Sequence, residues 1–162
     1  MKVLFATLLS VLFVTAAAQS ELTIIKNGKT NYKIVIAKNA DSAVQRAAFI
    51  LQDYLKKISG AVLPVITDAQ PPSPREIVIG NNARSRKDKS LSVNLNEDGY
   101  YIKTKVGTLF INGGSGKGII YGVVSFLEDY LGCRKYSPEV EYIPLLQTIT
   151  VPLINDRQVP PA

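Results

Sequence analysis

Carboxylates are the side chains of this 162-residue chain best suited to acid–base chemistry, because it has no histidine and only one cysteine, Cys133. Glu139 and Glu141 lie two residues apart, a spacing that in an extended strand sets both carboxylates on one face, about 7 Å from each other. Inverting glycosidases hold their acid and base about 6.5–9.5 Å apart, so this pair is a candidate for hydrolysis of a glycosidic bond. An exposed hairpin beside Pro138 would leave both groups with ordinary acidity, however, and that predicts a solvated or structural role. Glu128 and Asp129 are neighbours near a predicted helix end, where successive side chains diverge by about 100° and cannot flank one bond. Without histidine, Ser–His and Cys–His nucleophiles and His-ligated metals are excluded within the chain. Cys133 follows Gly132 in an apolar context and reads as a small packed residue rather than a nucleophile. A lone cysteine also forms no internal disulfide. No catalytic, cofactor-binding or metal-binding residue is assigned.

Gly113-Gly114-Ser115-Gly116-Lys117-Gly118 invites a phosphate-loop reading that its spacing does not support. A Walker loop needs glycine where Ile111 stands and a hydroxyl residue where Gly118 follows Lys117, and G-x-G-x-x-G fails at Ile119. The loop is instead a structural link between the apolar strand Leu109–Ile111 and an amphipathic helix. Ile119, Val123, Phe126, Leu127, Tyr130 and Leu131 fall on one stripe of that helix. Gly132 stands where a left-handed helix-ending residue is expected.

This glycine-rich turn, followed by Tyr121-Gly122, Phe126-Leu127-Glu128, Leu131-Gly132, Arg134 and Pro138, resembles the N-terminal domain of alpha-glucuronidases (glycoside hydrolase family 67-like). It is similar also to the second domain of beta-hexosaminidases. In element order the resemblance spans roughly residues 22–152, while its specific motif is confined to the two dozen residues just quoted. It implies a small α/β domain that precedes a (β/α)8 barrel, with the catalytic carboxylates on the barrel and outside this chain.

The elements around that motif read in order. Met1-Lys2, the apolar run Val3–Ala17 and the small residues Ala16-Ala17-Ala18 form a secretory signal peptide over residues 1–18. The mature protein is thus expected to be exported, periplasmic or extracellular, with no membrane attachment after cleavage. Leu22–Ile25 and Tyr32–Ala37 read as strands with Asn27-Gly28 marking the turn between them. Asp41 caps a helix over Asp41–Ser59, whose apolar positions Val44, Ala47, Ala48, Leu51, Leu55 and Ile58 precede Gly60. Pro64 makes Val62–Ile66 an edge or bulged strand, and Glu76–Gly80 is a buried one. Gly99–Lys105 and Thr108–Asn112 form a hairpin through Val106-Gly107. Arg134–Tyr136, Val140–Ile143 and Thr148–Val151 are short β segments.

The expected fold is α+β: a single two-layer domain over residues 19–152, with a mixed or mostly antiparallel sheet and two main helices, Asp41–Ser59 and Ser115–Leu131, on one face. Residues 153–162 read as a linker-like tail. Removing Lys2 with the signal leaves 18 basic against 13 acidic residues, a balance suited to anionic partners such as acidic polysaccharide. Export and the lack of a binding motif exclude nucleic acid.

Arg84, Arg86, Lys87 and Lys89 crowd a loop expected to be solvated. Arg84 and Arg86, with Tyr100 and Tyr101, are the candidate glycan contacts, although the chain lacks tryptophan, the residue best suited to stacking on sugars. Arg134, Tyr136 and Tyr142 are the candidate interface, because Tyr and Arg are enriched at interface centres. Three functions follow. The first is a non-catalytic accessory domain of an alpha-glucuronidase-like glycoside hydrolase, packing against a barrel in cis or in trans. The second is a free-standing carbohydrate-binding module for acidic glycans, and the third an independent hydrolase using Glu139 and Glu141.

Overall fold

A computed structural model describes residues 21–92 and 94–160; the signal peptide expected over residues 1–18 lies outside them. The chain order is β1 (Glu21–Ile25), β2 (Lys33–Ile36), α1 (Ser42–Ser59), β3 (Val65–Thr67), β4 (Glu76–Ile79), β5 (Tyr100–Lys105), β6 (Thr108–Gly113) and α2 (Gly118–Ser125). A π-helical turn (Phe126–Tyr130) continues α2, and β7 (Arg134–Lys135), β8 (Glu141–Tyr142), β9 (Ile149–Pro152) and β10 (Asn155–Gln158) follow.

The main sheet has six strands in the order β10-β5-β6-β4-β2-β3. It is mixed: β6, β4, β2 and β3 pair in parallel, while β5 pairs antiparallel with both β6 and β10. Pro64, directly before β3, removes a ladder donor, and β3 accordingly lies at the edge. Alternation along the strands divides the sheet into two faces. One face carries Ile34, Ile77, Ile79, Ile102, Leu109 and Ile111, and both helices cover it. Val35, Val78, Tyr101 and Phe110 lie on the other, beneath Leu91 and Leu95 of the irregular segment between β4 and β5. Covered on both sides, β4 is buried along its whole length.

Helix α1 follows its sequence signals closely. Asp41 caps it, its carboxylate accepting from the Val44 amide at 2.9 Å, and Gly60 ends it in the left-handed conformation. Its buried stripe is Ala47, Ala48, Leu51, Leu55 and Ile58. The second helix starts at Gly118 instead of the expected Ser115, one residue before its apolar stripe opens, and widens at Phe126–Tyr130. That turn buries Phe126 and Leu127, and Phe126 stacks on Tyr130 at 5.9 Å between ring centroids.

Three expectations are corrected. Asn27-Gly28 does turn the chain, but β1 and β2 do not form a hairpin across it. β1 instead pairs antiparallel with β9, and Leu22, Ile24, Ile25, Ile149 and Val151 join the helix-side core. Residues 153–162, expected as a linker-like tail, include β10, which extends the sheet beside β5. The basic segment from Asn81 to Ser90 is not simply solvated, since Asn82 and Ser85 are buried and Arg84 pairs with buried Glu76.

Candidate functional site

Polar side chains meet at the carboxyl ends of β2, β4 and β6, three of the four strands in parallel pairing. The chain leaves β2 and β6 toward the helix face, whereas it leaves β4 toward the opposite face. Such reversals open a crevice beyond the strand ends, the usual place for a ligand in open sheets with parallel strands. Here the crevice has a volume of about 340 Å³ and is lined by Asn39, Asn81, Arg86, Asn112 and Ser115 among others. A smaller hollow of about 170 Å³, lined by Ser85 and Ser92, shares Asn81, Arg86 and Asn112 with it. The two form one groove that passes around the strand ends.

The glycine loop builds one wall. The Gly114 amide donates to the Gly99 carbonyl at 2.8 Å and the Gly116 amide to that of Glu97 at 2.9 Å, while the Asp98 carboxylate accepts from the Lys117 amide at 3.2 Å. A Cβ on Gly114 would sit 1.8 Å from the Asn96 carbonyl oxygen, and one on Gly118 2.1 Å from that of Gly99. These glycines are required by backbone-to-backbone packing, and the Gly114, Gly116 and Lys117 amides are spent within the fold, as a structural link demands.

The four candidate glycan contacts separate. Arg84 is withdrawn: its Nε lies 3.2 Å from Glu76 Oε2, with side-chain exposures of 8% and 3%. It also donates to the carbonyls of Asp68 and Gln70, fastening the segment before β4 to the one after it. Tyr101 is buried in the second core, and desolvation pushes its hydroxyl pKa up to about 12. That hydroxyl stands beside Asn112 with no hydrogen-bond partner among the described residues. Tyr100 is half-buried beneath Gly122 and accepts a hydrogen bond from the Ser125 hydroxyl at 2.8 Å. Only Arg86 remains exposed toward the groove. Core burial and the Glu76 ion pair account for the other three.

Glu139 and Glu141 do not make an acid–base pair. Glu139 sits in the turn before β8, bonded to the Ser137 hydroxyl, and only Glu141 belongs to a strand. Tyr54 donates to Glu141 Oε2 at 2.6 Å, and Lys57 Nζ lies 3.5 Å from Oε1. The Tyr54 hydrogen bond, aided by Lys57, holds the Glu141 carboxyl below its usual range, the reverse of what a general acid needs. The same bond pushes Tyr54 up to about 12. Glu141 therefore latches the β7–β8 hairpin onto α1. Cys133 is buried, and desolvation raises its thiol pKa, in keeping with a packed role.

The candidate interface residues lie on or beside this hairpin. Arg134 donates to the carbonyls of Glu128 and Cys133, so its charge sits against the C-terminal end of the helix. Tyr136 and Tyr142 are 72% and 55% exposed. Phe49 on α1, which the sequence reading did not single out, and Tyr121 of the glycine-loop motif on α2 are exposed as well. Phe49 could have been found as an aromatic on the polar side of the α1 stripe.

A family model described as "Glycosyl hydrolase family 67 N-terminus" matches residues 17–126, which include the glycine loop and Tyr121-Gly122 and stop short of the hairpin. No curated protein matches the chain. Among solved structures, a GH20 beta-N-acetylhexosaminidase from Streptomyces coelicolor A3(2) is similar with a TM-score of 0.56 at 15% identity, over 87% of this chain and 24% of that one. A GH115 4-O-methyl-alpha-glucuronidase with specificity for decorated arabinogalactans is similar with a TM-score of 0.53 at 13% identity, over 86% of this chain and 18% of that one. At these identities the likeness is one of fold. The chain spans a quarter or less of the length of either protein.

Proposed function

Because the chain belongs to the glycosyl hydrolase family 67 N-terminus family, we propose that it is an exported, non-catalytic accessory domain of an alpha-glucuronidase-like glycoside hydrolase, acting in polysaccharide degradation by packing against a catalytic (β/α)8 barrel in cis or in trans. The observation that carries the docking role is the aromatic surface on the helix-bearing side. Phe49, Tyr121, Tyr136 and Tyr142 are large, exposed and carried on α1, α2 and the hairpin latched to α1. Exposed apolar groups gathered on one side of a domain mark an interaction surface, and tyrosine buries large area there at little rotamer cost. The accessory role is supported further by the absence of a positioned acid and base at Glu139 and Glu141.

Two measurements test this reading. The purified chain is expected to be inactive on aryl-glucuronides and xylo-oligosaccharides. Turnover that disappears in Glu139→Gln or Glu141→Gln would instead assign it independent hydrolysis. Export predicts a mature protein whose mass begins at Gln19, and recovery of the intact chain from the cytoplasm alone would contradict it.

A further inference from the structure

The groove at the ends of β2, β4 and β6 has no part in the docking role, and besides small and aliphatic residues its lining carries Asp41, Arg86, three asparagines and Ser115. Arg86 is exposed and its guanidinium makes no hydrogen bond or ion pair among the described residues. The side chains of Asn81 and Ser115 are likewise uncommitted. Asn112 uses its Oδ1 to accept from the Gly113 amide at 2.9 Å, and its side chain also stands beside the Tyr101 hydroxyl. Two carboxylates stand near, and both have partners of their own. Asp41 accepts from Val44 as the helix cap, and Asp68, within electrostatic reach of Arg86, accepts from the Lys38 and Ala83 amides at 2.9 Å each. What the groove offers is one unpaired planar cation flanked by amides and hydroxyls.

We propose that this groove binds a sugar carrying a carboxylate, with Arg86 meeting the carboxylate and Asn81, Asn112 and Ser115 meeting ring hydroxyls. The proposal rests on the glycoside hydrolase reading above, which makes glycans the relevant ligands. A guanidinium matches a carboxylate in a two-point fork that lysine cannot reproduce. Amide and hydroxyl groups exchange hydrogen bonds with sugar hydroxyls in both directions. The volume of about 340 Å³ lies within the range of small-ligand sites, about 300–1,000 Å³. The joined hollow leaves room for a second ring. No aromatic side chain lines either hollow, so recognition depends on charge and hydrogen bonds and weakens with salt.

The test is an amide-resolved NMR titration of the purified chain with glucuronic acid, glucose and acetate at matched concentrations. Glucuronic acid is expected to shift the amides of Asn81, Arg86, Asn112 and Ser115, with glucose and acetate each giving a much smaller response. Arg86→Gln should weaken binding roughly tenfold or more, the scale of a lost hydrogen bond to a charged group, and Asn81→Ala should weaken it less. No response, an equal response to glucose or to acetate, or an unchanged affinity in Arg86→Gln overturns the proposal. Formation of a complex with a barrel is read in a separate measurement, so a silent groove leaves the accessory-domain reading intact.

Discussion

Arg84 and Arg86 stand two positions apart in the same basic run and meet opposite environments. The chain turns so that one guanidinium enters the fold against Glu76 and the other faces solvent. Removing one partner of a buried ion pair strands the other charge, which typically costs about 3–5 kcal/mol. Arg84→Leu should therefore lower stability by about that much in urea unfolding, while Arg86→Gln should leave it nearly unchanged. A second residue-scale prediction follows from the latch at Glu141. Its folded carboxyl lies below the ordinary 4.5, so its contribution is present above that value and is lost as pH falls through the folded value. Tyr54 titrates at about 12 instead of 10.0, so its contribution is present below 10 and lost as pH rises through about 12. Amide-exchange protection of the hairpin should thus fall on acidification, and Tyr54→Phe should flatten most of that dependence. A third concerns Val106, which is β-branched and 92% exposed yet adopts a φ of 45° in the β5–β6 turn. Val106→Asn should raise stability by about 1 kcal/mol, because asparagine tolerates this conformation.

At the scale of elements, local chemistry made much of the fold legible. Asp41 and Gly60 bracket α1, Val106-Gly107 closes the clearest hairpin, and Pro64 sends β3 to the edge. What sequence reading missed depends on contacts far apart along the chain. β1 pairs with β9 across most of the domain, and nothing near Asn27-Gly28 reveals that β2 will turn to β4 instead. β10 carries Asn155, Asp156, Arg157 and Gln158, a polar edge strand without an apolar pattern. Leu91 and Leu95 belong to the short alternation Leu91-Ser92-Val93-Asn94-Leu95, a pattern that by itself suggests a strand and does not reveal that the two leucines cover the second face. Three of the four candidate glycan contacts were misplaced for a related reason, since side-chain type cannot say that both sheet faces are covered and that Tyr100 and Tyr101 pack toward opposite cores. Helix α2 offers the sharpest test at this scale. A Cβ at Gly122 would lie 3.0 Å from Ile111 Cγ2 and 3.2 Å from Tyr100 Cβ, so Gly122→Val should push the helix off the β5–β6 hairpin. Such overpacking costs typically about 1–3 kcal/mol. Phe126→Ala, deleting a fully buried ring, should cost about 3–5 kcal/mol. Both changes can be measured by thermal unfolding.

For the whole molecule, two sides present different chemistry. The strand-end groove offers polar chemistry, and the helix side offers exposed aromatics without an acid–base pair. A domain that normally covers those aromatics with a barrel should bind a hydrophobic dye or self-associate when purified alone. Tyr136→Ser with Tyr142→Ser should reduce that behaviour without changing the unfolding midpoint, because both side chains are exposed. The measurement that bears most directly on the docking role is light scattering of this chain mixed with a family 67 catalytic barrel stripped of its own N-terminal domain. The expected result is a one-to-one complex that the double tyrosine variant fails to form. Two independent species, with the lone chain monomeric and silent to the dye, would contradict it.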